Sequence, residues 1–163
     1  MYMKKYLLTV AIYLSCTHVF GQSINLLNII NLTSLNNEQA GSTLTANKAW
    51  ALQYGEGVNG FIVEHYQTTA ASQKKETLIV GQGVRTANGG ILRTVSYLSP
   101  NIQDVMNLVE QAKGQGLIQN FRGSDRNGNI YIYENILYHM VVRISHNNDK
   151  AVIDITQKQI FVE

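Results

Sequence analysis

The stretch GSDRNGNIYIYE, residues 123 to 134, sets Asp125, Asn127 and Asn129 at alternate positions beside Gly123 and Gly128. A calcium loop spaces its oxygen ligands this way. A helix-loop-helix calcium loop also needs glycine at its sixth position and a bidentate Glu at its twelfth. Counted from Asp125, those places hold Ile130 and Ile136, and the flanks are rich in branched and aromatic residues that favour strands. The stretch is therefore expected to be a hairpin turn on Asn127-Gly128, two residues that tolerate positive φ. The glycines of VGQGVRTANGG, residues 80 to 90, could suggest a phosphate cradle, but a cradle leads into a helix N-terminus. Here the run leads into a strand, where Gly81 and Gly83 are expected to mark a bulge or a close backbone contact.

His65, His139 and His146 have no metal-site spacing among themselves. Neither a metal ion nor a cofactor is expected. His139, Arg143 and Asp154 are placed to share a sheet face, with Ser145 near, so a small hydrolase using His139 and Asp154 is one alternative. No nucleophile elbow singles out a serine, and the plain expectation is a solvated polar face with no catalytic residue. Tyr131, Tyr133 and Tyr138 on adjoining strands suggest instead an aromatic surface for a protein or a glycan. The candidate binding residues are Tyr131, Tyr133, His139 and Arg143, and Trp50 is expected in the core.

The front of the chain, MYMKKYLLTVAIYLSCTHVFGQ, joins Lys4 and Lys5 to an apolar run and a small residue, Gly21. That is the layout of a secretory signal over residues 1–21, cleaved before Gln22. Its VFGQ ending resembles export signals of Gram-negative envelope proteins, which implies the periplasm or cell surface. The alternative is a lipoprotein acylated at Cys16, since Tyr13-Leu14-Ser15-Cys16 approximates that cleavage box. Cys16 is the single cysteine, so no disulfide or thiol chemistry is expected after cleavage at Gln22. No later run is long and apolar enough to span a bilayer. Lys4 and Lys5 are two of 13 basic residues against 11 acidic ones, so residues 22–163 balance to neutrality. A neutral chain lacks the electrostatic footprint of a nucleic-acid binder.

Residues 22–163 have the length of one domain. Residues 24–50 read as helical, with Ile24, Leu27, Ile30 and Leu35 on one face, followed by a turn-rich piece carrying Ala40, Leu44 and Ala46. Asn59-Gly60, Asn88-Gly89 and Asn127-Gly128 then punctuate strand-like runs, and His146-Asn147-Asn148-Asp149 marks a fourth turn. Strands are expected near 48–54, 60–67, 77–85, 91–98, 117–122, 129–134, 137–145 and 150–158. Between the two sets lies a helix capped by Ser99, with Pro100 at its first position. Its expected stripe is Ile102, Val105, Met106, Val109 and Ala112, closed by Gly114 and Gly116.

The fold class is thus α+β: two helix-plus-antiparallel-meander units packed as one domain, with a possible internal duplication over about 22–98 and 99–163. This order of elements resembles the tandem helix-plus-sheet units of the β-lactamase inhibitor proteins and, per unit, small outer-membrane assembly lipoproteins. The resemblance is one of topology over most of the chain beyond residue 21. It carries no shared motif and transfers no residue role. The function expected is that of an exported, non-enzymatic binding module of a bacterial envelope, with an inhibitor or immunity protein against an envelope enzyme as the alternative that the resemblance implies.

Overall fold

The computed structural model describes residues 24–69 and 75–159. The expected export signal and Cys16 lie outside them. Among the described residues, helices α1 (Leu26–Leu32) and α2 (Asn37–Thr45) precede strands β1 (Trp50–Val58), β2 (Phe61–Thr68), β3 (Thr77–Arg85) and β4 (Ile91–Ser99). Helix α3 (Ile102–Gly114) then leads to β5 (Ile118–Ser124), β6 (Gly128–Glu134), β7 (Tyr138–Ser145) and β8 (Ala151–Gln157). All eight strands join one antiparallel sheet in the order β1-β2-β3-β4-β8-β7-β6-β5. The mixed α+β class holds, and each expected strand is present within a few residues of its expected ends.

The helices lie on one face of the sheet. Val95 and Tyr97 of β4, Ile153 and Ile155 of β8, and Met140 and Val142 of β7 are buried there with Leu26, Ile29, Val105, Leu108 and Val109. Alternation along antiparallel strands produces this arrangement, because every second side chain points to the helices. Between α1 and α3, the Leu26 backbone N–H donates to Gln111 Oε1 at 2.9 Å, so a side chain of one helix satisfies an orphan donor at the start of the other.

The helical stretch 24–50 is broken at Asn36, which caps α2 in a reciprocal box: Asn36 Oδ1 accepts from the Gln39 N–H at 2.9 Å, and Gln39 Oε1 accepts from the Asn36 N–H at 3.1 Å. The phase of α1 also differs from expectation. Leu26 and Ile29 are buried while Leu27 is 52% exposed, because the stripe that meets the sheet starts one residue earlier. Ala40 and Leu44 of α2 are buried, whereas Ala46 just beyond it is exposed.

Helix α3 starts two residues later than its sequence suggests. Ser99 remains the last residue of β4, since the ring of Pro100 disfavours helical backbone in the residue before it. Asn101 is the cap instead, its Oδ1 accepting from the Gln103 N–H at 3.2 Å. The Ser99 hydroxyl still assists, accepting from the Asn101 N–H at 3.0 Å and donating to Asp104 at 2.8 Å. Leu108 joins the buried stripe, whereas Met106 is 37% exposed.

The Asn-Gly pairs do three different jobs. At Asn59-Gly60 both residues have positive φ, 50° and 79°, as a tight two-residue hairpin requires. At the second pair only Gly89 does, at 85°. Neither Asn127 nor Gly128 is among the positive-φ residues, so the β5–β6 hairpin turns there without the positive φ that the pair tolerates. Gly128 is required by space: a Cβ there would overlap the Ile144 carbonyl oxygen and lie 2.8 Å from the Ile144 carbonyl carbon.

Tyr66 is buried under α2, its hydroxyl donating to Glu64 Oε2 at 2.9 Å. Burial, reinforced by the Glu64 hydrogen bond and charge, raises its pKa from 10.0 to about 12. A raised folded-state pKa gives stability that is complete below the unfolded value and drains away as pH rises toward the folded one. The stability measured by urea unfolding should therefore fall between pH 10 and 12 by on the order of 2 kcal/mol from this group. Tyr66→Phe should make that limb shallower by this amount only, since burial also raises Tyr97 and Tyr133, and parallel falls in both proteins would refute the assignment.

Candidate functional site: the open sheet face

The strand register divides the expected binding residues between two surfaces. Tyr133 pairs with Met140 and Tyr131 with Val142, both core residues, so the two tyrosines sit on the helix-bearing face. Tyr133 is only 4% exposed. Tyr131 packs on the core edge with the Arg122 guanidinium 5.7 Å from its ring centroid, a cation–π distance. Tyr138 also packs against the core. The expected aromatic platform is therefore corrected: these rings pack inward, where strand tyrosines add apolar area.

His139 and Arg143 occupy the opposite face, over which no helix among the described residues lies. His139 pairs with Glu134 directly across β6–β7, and its Nδ1 meets Glu134 Oε1. Lys158 Nζ stands 3.6 Å from the other Glu134 oxygen. The His139 hydrogen bond, ahead of the Lys158 charge, holds the Glu134 carboxyl below its usual range. Arg143 Nη1 donates to Asp154 Oδ2, and Ser96 donates to the other Asp154 oxygen at 2.6 Å. Ser145 donates to Asp149. His139, Asp154 and Ser145 thus each have partners other than one another.

At the far side of this face, His65 Nε2 lies 2.9 Å from Glu56 Oε1, and the Tyr54 ring stacks on the imidazole with centroids 4.2 Å apart. A polar seam runs along β4 and β8, where Thr94 and Thr156 share a hydroxyl hydrogen bond of 2.7 Å beside the Ser96–Asp154 pair. Aliphatic wings flank the seam. Ile79 and Leu92 lie half-buried on one side, and half-buried Val141 and Ile132 with Phe121 on the other, as their pairing with seam-face residues dictates, while Val63 on the same face is buried. Phe121 is 48% exposed. A depression of about 220 Å³ opens beside Ile130, Arg143, Lys150 and Val152.

The turn between β5 and β6 borders this depression through Asp125, Asn127 and Gly128. Asp125 Oδ1 accepts from the Asn127 and Gly128 N–H groups at 2.7 and 3.0 Å, and the Asp125 N–H donates to the Gly128 carbonyl at 2.9 Å. The carboxylate oxygen that a cation would need organises the turn instead. Among the described residues no three of His, Cys, Asp and Glu gather in a cluster that could hold a metal ion. Gly81 does sit at a bulge, with φ 87° and the register shifting between Ile79 and Gln82. No family model, curated protein or solved structure matches this chain. The site therefore rests on its own geometry. No helix among the described residues is long and apolar enough to cross a membrane.

Proposed function

We propose that this chain is an exported, non-enzymatic interaction protein of a bacterial envelope that docks a protein partner on the open face of its sheet. One observation carries the reading: among the described residues, helices cover a single face of an eight-stranded sheet. The other face presents aliphatic and aromatic wings around a hydrogen-bonded polar seam. Apolar contacts ringed by polar groups are the anatomy of a protein interface, and contiguous apolar surface on a folded chain marks an interaction site. The depression beside Arg143 and Lys150 suits an acidic or carbonyl-bearing anchor from the partner. His139 and Arg143 remain in the proposed site, while Tyr131 and Tyr133 support it from beneath. The pairing of His139 with Glu134 and of Asp154 with Arg143 and Ser96 favours binding over hydrolysis.

The strand order further supports reading the domain as two helix-plus-meander units meeting where β4 pairs with β8. Trp50 and Leu117, both buried, lie at matching hand-overs from helix to strand.

The docking test is to immobilise the chain, pass solubilised envelope of the native host over it, and compare retention with a Val141→Asp/Arg143→Glu variant. One stoichiometric protein retained by the first and lost by the second is the expected result. Equal retention by both, or no retained protein, would overturn the reading. The export step is checked separately by intact mass of the exported chain. A start at Gln22 is expected, and an acylated start at Cys16 would replace it with a membrane-anchored form.

A further inference from the structure

On the helix-bearing side, α1, α2 and the start of β1 line a cavity of about 200 Å³ that opens to solvent. Leu32, Leu44 and Trp50 contribute its apolar wall, and Asn28, Asn31 and Asn47 bring amides to its rim. No charged side chain among the described residues lines it. The connection from α2 into β1 turns through Lys48 at φ 54°, a left-handed conformation that a side-chain-bearing residue seldom adopts and that often accompanies functional sites.

Trp50 is only 4% exposed, yet its indole N–H has no acceptor among the described residues. Buried tryptophans ordinarily find a partner for that group. The indole nitrogen is a donor only, so what is missing is an acceptor. The described wall offers no counter-charge, so an ionised group drawn against it is penalised and an uncharged ligand is favoured. A dry cavity of roughly 150 Å³ already admits a benzene-sized molecule. We propose that this cavity binds a small uncharged molecule, about one ring in size, whose carbonyl or hydroxyl oxygen accepts the Trp50 hydrogen bond while its apolar body packs on Leu32 and Leu44. The site is independent of the open face, which lies across the sheet.

Trp50 is the single tryptophan, so one indole N–H resonance reports on the site directly. The full chain would be titrated with cyclohexanone, with cyclohexane as the probe lacking an acceptor, and with cyclohexanecarboxylate as the charged one. Cyclohexanone should move the indole resonance downfield saturably. Cyclohexane, followed by leucine methyl shifts, should bind roughly tenfold more weakly, the ratio that one neutral hydrogen bond supplies. The carboxylate should produce no saturable shift. Ala49 is exposed at the rim, so Ala49→Tyr should block entry and abolish the cyclohexanone response while leaving the thermal transition in place. The proposal is overturned if cyclohexanone gives no saturable shift, if cyclohexane or the carboxylate binds as tightly, or if the Ala49→Tyr protein responds unchanged.

Discussion

Gly81→Ala is expected to lower the unfolding free energy by about 3–4 kcal/mol, the upper range for a single substitution. Two independent causes add. The residue sits at φ 87°, where an L side chain meets its own carbonyl and loses on the order of 1–2 kcal/mol. The new Cβ would also overlap the Ile62 carbonyl oxygen and lie 2.8 Å from Asn37 Nδ2. Those two groups hydrogen-bond to each other at 2.8 Å, tying the first residue of α2 to β2 across the β3 bulge. The methyl group must therefore push the helix, the neighbouring strand or both. Asn37→Ala alone should cost about 1 kcal/mol, and the double variant should fall short of the sum because the same contact is removed twice. Gly57→Ala, whose Cβ would meet nothing within 4 Å, is the control and should stay within about 0.5 kcal/mol of the parent. Urea unfolding midpoints decide the matter. A loss below about 1 kcal/mol for Gly81→Ala would show that the bulge yields at little cost.

Gly128→Ala should be nearly as damaging, by about 3 kcal/mol, for a different reason. Its backbone conformation is open to any residue, but its partner strand is too near. The added Cβ would overlap the Ile144 carbonyl oxygen and lie 3.0 Å from the Ser145 Cα, so β6 and β7 must separate at their Gly128–Ser145 end. The damage should be directional. Amide exchange should accelerate first in β6, β7 and the 125–127 turn, and last in β2 and β3. Uniform acceleration would mean that the clash is felt as a global loss rather than a local opening.

The contrast between these glycines shows what could be read from the chain. Strand positions were legible because Asn-Gly pairs and period-two alternation are local signals, and β6, β7 and β8 fell where those signals put them. The reason for Gly128 was not legible, since it depends on how near β7 approaches, a distance no local pattern contains. The same limit governs the candidate site. His139 and Arg143 could be assigned to one face of β7 from alternation alone. Joining Tyr131 and Tyr133 to them required the register across the β6–β7 turn, and there Asn135 Oδ1 accepts from both the Leu137 and Tyr138 N–H groups. That arrangement pairs Glu134 with His139 and turns both tyrosines inward. Ser99 and Met106 were misplaced for related reasons: a pre-proline residue stayed extended, and the helix rolled to bury Leu108. The exposed face itself had no sequence signature, because its valines and isoleucines look like any others until the helices are seen to lie elsewhere.

The pairing of β4 with β8 has a kinetic consequence. Every other strand pair in the sheet joins neighbours in the chain, whereas Ser96 and Asp154 are 58 residues apart and Thr94 and Thr156 are 62. The hairpins can close on the microsecond scale typical of such turns. The long-range ladder must first offset the entropy of fixing α3 and three further strands. Each half of the sheet is then free to zip early, and the rate of reaching the native state is governed by the search of one preassembled sheet edge for the other. Until they meet, β4 and β8 are temporary sticky edges, where two molecules at high concentration can exchange halves as readily as one molecule can close on itself.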